Sequence, residues 1–154
     1  MPVFNGGITN QQTGLLDPKL LQQRGPLLQI EVSVPDVLAN KLYQEKKPIP
    51  PPVTGLGLLD TGASITGVDV NALQQLSLSM INEVTMNHPG GEDKQGIYAC
   101  QISFPGTQIE DIEFSAALGS NLKGQGLLAI LGRDVLKDYQ LVYNGPGGFW
   151  TIAG

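Results

Sequence analysis

Gly57-Leu58-Leu59-Asp60-Thr61-Gly62-Ala63-Ser64-Ile65-Thr66 is an apolar run that ends in a carboxylate, followed by a hydroxyl, a glycine and two small residues. Such a run reads as a buried strand that delivers an acid into a tight turn. Asp60 is then held at the end of a rigid element. A carboxylate there is costly unless hydrogen-bonded or neutral, so its placement points to chemical use. The plainer reading is a capping aspartate in a strand-to-loop turn, and a bare Asp-Thr-Gly is short enough to arise by chance.

A second segment changes the weight of the first. Leu127-Leu128-Ala129-Ile130-Leu131-Gly132-Arg133-Asp134-Val135-Leu136, about seventy residues further on, is another apolar run that ends at a glycine and then turns helical. In this order the two elements resemble those of the retropepsin-like single-domain aspartic peptidases. The resemblance covers residues 25–154 and is closest to small soluble, bacterial-type members with a Pro-rich approach and a closing Val-Tyr-Asn-Gly hairpin, here Val142 to Gly145. It implies an all-β fold of closed, barrel-like sheets with a flap hairpin and a short helix after Gly132. It also implies that the two apolar segments cross to form the floor of an active site.

Composition agrees with one β-rich domain. The 154 residues suffice for a single core, and 20 glycines and 11 prolines in short patches mark many turns between strands. The formal charge is −5 and the basic residues are scattered, so no footprint for nucleic acid is present. No run reaches membrane-spanning length, and residues 1–14 lack the basic start and apolar core of a secretory signal, which makes the cytoplasm the default location. Cys100 is the lone cysteine and reads as a buried thiol. One histidine and one cysteine do not furnish a conventional metal site, and no cofactor is implied.

Along the chain, residues 1–24 read as a flexible polar arm with one short amphipathic turn after Asp17-Pro18. Among retroviral relatives the N-terminal strand belongs to the dimer interface, so an interface strand or a removable leader is the functional alternative. Leu27 to Val34 alternates as a first strand, and 35–52 is an insertion made of a short helix and the stiff Pro48-Ile49-Pro50-Pro51-Pro52. Val53 to Leu59 feeds the Asp60 loop, Ile65 to Val70 leaves it, and a helical turn follows that Asp69 would cap. Strands at Ile81 to Met86 and Gly96 to Phe104 imply a hairpin over 81–104 with a long polar tip, Asn87 to Gln95. By the resemblance this is the flap, with His88, Pro89, Gly90 and Gly91 as its substrate-binding tip; glycine there permits positive φ and close backbone approach. Ile109 to Ala117 is another strand. Gln140 to Tyr143 and Phe149 to Ile152 pair across a glycine-rich turn, with Phe149 and Trp150 on opposite faces, so that one aromatic would project and invite a partner.

Peptide hydrolysis by carboxylates takes two of them, one to accept a proton from water and one to polarise the carbonyl. The chain holds a single Asp-Thr-Gly; Asp69, Asp111, Asp134 and Asp138 stand in no second copy of that turn. The resemblance therefore implies a homodimer in which Asp60 meets Asp60 across a two-fold axis, acting on extended peptide or protein. In it Thr61 would bond to the opposite loop and Gly62 would leave room for substrate and offer it main-chain hydrogen bonds. Ala63 and Ser64 would extend the floor over Ile130 and Leu131. Gly132 would let the segments pack closely, and Arg133 would lock the loop, although no acid follows the triplet to pair with it. The rival expectation is a non-catalytic, peptide-binding or scaffolding dimer that retains the fold.

Overall fold

A computed structural model describes residues 1–154. Ten strands and four short α-helices make it a mostly β fold. The strands are β1 (Val3–Gly7), β2 (Leu27–Ser33), β3 (Val53–Leu59), β4 (Gly67–Asp69), β5 (Asn82–His88), β6 (Gly91–Ser103), β7 (Ile112–Ser120), β8 (Ala129–Leu131), β9 (Gln140–Asn144) and β10 (Phe149–Ala153). The helices are α1 (Pro18–Arg24), α2 (Asp36–Gln44), α3 (Val70–Gln75) and α4 (Arg133–Leu136), with a 3-10 turn at Lys123–Gln125. No helix is long and apolar enough to cross a membrane.

The larger sheet runs β2-β3-β8-β4-β7-β6-β5, and β2 also pairs with β6. That extra pairing closes six strands into a barrel and leaves β5 outside it. β6 makes this possible by its length: Gln101 to Ser103 pair with β2, Ile97 to Ile102 with β7, and Gly91 to Ile97 with β5. Inside, Ile30, Val32, Leu59, Val68, Leu73, Ile102 and Leu131 are among the residues of one continuous core, as alternation along β2 anticipates. Cys100 is buried in that core, and desolvation pushes its thiol up to about 12, so it stays protonated and inert.

Three sequence expectations need correction. Residues 1–24 are not a free arm: β1 pairs antiparallel with β10 from Val3↔Ala153 to Gly7↔Phe149, and Leu21 of α1 is fully buried. The Asp17-Pro18 turn is there as α1, capped by Asp17, whose Oδ1 accepts from the N–H groups of Lys19 and Leu20. Second, β10 is the centre of a three-stranded sheet β1-β10-β9, not an aromatic edge. Trp150 is fully buried and its ring lies 5.6 Å from that of Phe4. Third, the hairpin tip is short. His88 pairs with Gly91, so only Pro89 and Gly90 form the turn, and Glu92 to Gln95 belong to β6.

Glycine at position 6 is what lets β1 dock. A Cβ there would enter the indole of Trp150, whose ring occupies the space a side chain would take. Gly6→Ala should therefore lower stability by about 1–3 kcal/mol, the usual cost of overpacking, measured by urea unfolding. Fluorescence of Trp150, the only tryptophan, is the probe, and an unchanged midpoint would mean that β1 does not rest on that ring. Asp17 makes a second prediction. Its carboxyl lies below the ordinary range, chiefly through the Asn10 amide and then the Leu20 N–H. A depressed folded pKa means that the cap's contribution is whole above the ordinary carboxylate range and is lost as pH falls through the lower, folded value. Asp17→Asn should flatten that acid limb of the stability curve.

Candidate active site

β3 and β8 lie side by side and parallel, in the register Gly57↔Ala129, Leu58↔Ile130, Leu59↔Leu131. Parallel neighbours end at the same side of the sheet, so the chain leaves Leu59 into the Asp60 loop beside the point where it leaves Leu131 into Gly132 and α4. The Asp60 N–H donates to the Leu131 carbonyl at 3.0 Å and extends the ladder by one bond into the loop. Asp60 is half-buried at this seam, whereas Thr61, Gly62, Ser64 and Ile65 are exposed.

The carboxylate is held by its own turn. Gly62 N–H donates to Asp60 Oδ1 at 2.7 Å, and Ala63 N–H reaches the Asp60 carbonyl at 3.3 Å. Asp60 Oδ2 accepts no hydrogen bond from the chain. Gly62 thus spends its N–H on the carboxylate, where the sequence suggested a bond to substrate.

The second segment locks the loop from beneath. A Cβ at Gly132 would stand 2.9 Å from the Ile65 carbonyl carbon and 3.0 Å from the carbonyl oxygens of Ala63 and Ile65. These are backbone atoms, which cannot step aside as the end of a side chain can. Arg133 N–H donates to the Ala63 carbonyl at 2.8 Å, and Arg133 Nη1 donates to the Thr61 carbonyl at 2.7 Å. The arginine that lacked an acid in the sequence therefore has a main-chain oxygen as its partner.

Two residues that carry this arrangement were not singled out as site residues. Thr66 is fully buried. Its hydroxyl donates to Asp134 Oδ1 at 2.7 Å and accepts from Gly132 N–H at 3.1 Å, and its own N–H donates to Asp134 Oδ2 at 3.0 Å. Asp134 also accepts from Val135 N–H at 3.0 Å. Together they tie the strand leaving the Asp60 loop to the helix after Gly132. The only sequence signal for them was a hydroxyl residue, Thr66, between Ile65 and the Gly67-Val68 pair of the strand leaving the loop.

Asp69 departs from its expected role as well. It precedes α3 but makes no side-chain cap; buried, it accepts at Oδ1 from Leu122 N–H at 3.0 Å and Lys123 N–H at 3.1 Å, steadying the loop before β8. His88, Pro89, Gly90 and Gly91 sit together at the far end of the β5–β6 hairpin, and no hydrogen bond joins them to the Asp60 loop. No cavity of note includes Asp60 within a single chain. A groove of about 500 Å³ lies instead between α2 and the base of the hairpin, walled by Val37, Leu38, Leu78 and Ile81.

Thr66→Val tests the lock. It leaves Gly132 N–H without that acceptor and takes from Asp134 one of its three donors, the hydroxyl, so stability should fall by about 1–3 kcal/mol. Gly132→Ala should do more, displacing the loop as well as destabilising it, which amide chemical shifts of Asp60 to Ser64 would register. Unmoved shifts in Gly132→Ala would contradict the close approach.

No family model matches the chain, and no curated protein does. Among solved structures, the chain is similar to the crystal structure of a retropepsin-like aspartic protease from Rickettsia conorii, at 12% identity and a TM-score of 0.43, over 100% of this chain and 97% of that one. A likeness of that degree carries no argument about chemistry.

Proposed function

We propose that the chain is an aspartic endopeptidase that works as a homodimer, hydrolysing extended peptide with a water molecule activated between two Asp60 carboxylates. The observation that carries this reading is the way Asp60 is presented. It stands at the end of a barrel strand, one oxygen is fixed by Gly62 N–H at 2.7 Å and the other has no partner in the chain, within a loop that is otherwise exposed.

A half-site of this kind suits assembly across a two-fold axis. Thr61 is exposed and its hydroxyl makes no hydrogen bond within its own chain, so it is available to the opposite loop. The only hydrogen bond to the Asp60 carboxylate is from Gly62 N–H, which leaves the second carboxylate of the pair to be supplied by the other copy. Two carboxylates roughly 3 Å apart cannot both be ionised and share one proton at mildly acid pH, titrating as a pair.

The chemistry then balances without a covalent intermediate. The ionised carboxylate takes a proton from water as its oxygen attacks the scissile carbonyl carbon, and the protonated one gives its proton to the carbonyl oxygen. Collapse of the tetrahedral species breaks the C–N bond as a proton passes to the leaving nitrogen. The hairpin tip at His88 to Gly91 covers the bound peptide in this scheme, and the default site of action is the cytoplasm.

Asp60→Asn should lower cleavage of a peptide library by about two orders of magnitude or more, with circular dichroism and solution mass unchanged. Equal cleavage by the variant would end the aspartic-peptidase reading, and a wild-type chain that stays monomeric at every concentration at which it cuts would end the homodimer mechanism. Dimers that bind peptide without any product at any pH would favour the scaffolding alternative.

A further inference from the structure

We propose that His88 is a positioning residue that, when neutral, holds the only main-chain donor of the hairpin turn, and that releases this donor when protonated. The turn has two central residues. Pro89 has no N–H, so Gly90 supplies the single amide that the turn can offer. Gly90 N–H donates to His88 Nδ1 at 3.1 Å, and His88 Nε2 lies 2.8 Å from Asp93 Oδ2. A ring nitrogen that accepts an N–H carries no hydrogen, and a ring nitrogen beside a carboxylate oxygen carries one. The two contacts together define a neutral imidazole with its proton on Nε2.

The turn itself favours this arrangement. Proline excludes the positive φ that the usual two-residue hairpin turns demand at their first central position. Gly91, the residue just after the two central ones, has φ 128°, a conformation that side-chain-bearing residues rarely adopt. The backbone is thereby directed so that the Gly90 amide points back to the His88 side chain, as an aspartate or asparagine side chain would receive it in an Asx-turn.

Protonation reverses one contact and keeps the other. An imidazolium has hydrogens on both nitrogens, so Nδ1 can no longer accept from Gly90, while the bond to Asp93 becomes charge-assisted. Histidine changes charge between about pH 5 and 8, the side on which a shared-proton carboxylate pair also works. By register, Val84, Met86, Gln95 and Asp93 share the face of His88, and Asp93 is the only ionisable one among them. Glu83, Glu92 and Lys94 lie on the opposite face, where Lys94 pairs with Glu83 at 3.8 Å. No hydrogen bond or ion pair joins the tip to a charged group of another element.

Resting on the peptidase reading, the consequence is a hairpin whose tip can donate to a peptide carbonyl only after His88 takes up a proton. Cleavage then rises on acidification for a reason separate from the carboxylate pair.

The test has two independent arms. His88 is the sole histidine, so in a uniformly ¹⁵N-labelled protein its ring signals are unambiguous. At neutral pH the ring should be the Nε2–H tautomer, and the Gly90 amide shift should move with the ring's own midpoint on titration. In the second arm, the ratio of kcat/KM in His88→Ala to that in wild type should be about three- to tenfold at pH 7.5, the size of one neutral hydrogen bond, and should approach one by pH 5.

An Nδ1–H tautomer, or a Gly90 amide indifferent to the ring's titration, would overturn the proposal. So would parallel pH profiles for the two proteins. If the wild type cuts nothing, the peptidase reading fails, and the ring and amide titrations still decide whether His88 holds and releases the donor.

Discussion

The parallel pairing of β3 with β8 is the constraint on which the rest depends. It places Leu59 beside Leu131 and so brings two loops, far apart in sequence, out of the barrel at one point. Every later contact at the site is a consequence: the Asp60 N–H on the Leu131 carbonyl, the Arg133 N–H on Ala63, the guanidinium on Thr61. A parallel pair needs a crossover connection, and here the crossover contains the hairpin, β7 and their turns. The site therefore exists only when nearly the whole barrel does.

Close packing of backbone on backbone beneath the loop explains the polar chemistry buried there. Gly132 brings two chain segments so near that their N–H and C=O groups are shut off from water, and such groups must find partners. Thr66 and Asp134 provide them. A fully buried hydroxyl that both donates and accepts, against a carboxylate that accepts three hydrogen bonds, is a satisfied network rather than a liability. Asp60, in the loop above, is left with one unpartnered carboxylate oxygen.

The hairpin has a different mechanical character. β5 has no buried residue and stands outside the closed barrel, so its outer end is held by its own ladder and by side chains near the tip. A segment with few buried apolar contacts opens at low cost, and at such a place a bond as small as that between Gly90 and His88 can decide geometry. This is also where sequence reading was weakest. Glu92 to Gln95 carry no apolar alternation because both faces of that ribbon are wet, and without a buried face there is no periodic signal of a strand. Residues 3–7 misled for a related reason. The face of β1 over Trp150 holds one aromatic, Phe4, and a glycine, Gly6, whose lack of a side chain hides the close packing it permits.

What the sequence by itself determined was local. Alternation in Leu27 to Val34, the apolar runs into Asp60 and Gly132, the Asp17-Pro18 helix start and the glycine-rich turn before Phe149 each write their structure in adjacent residues, through periodicity, proline geometry and capping. Tertiary structure alone decided the rest: that β1 lies on β10, that Asp69 serves Leu122 and Lys123 instead of its own helix, that Thr66 and Asp134 meet across 68 positions. These are matters of which distant backbone groups lose water together. Hydrogen-bond demand of that kind is set by the packing of the barrel, and no neighbouring residue in the chain records it.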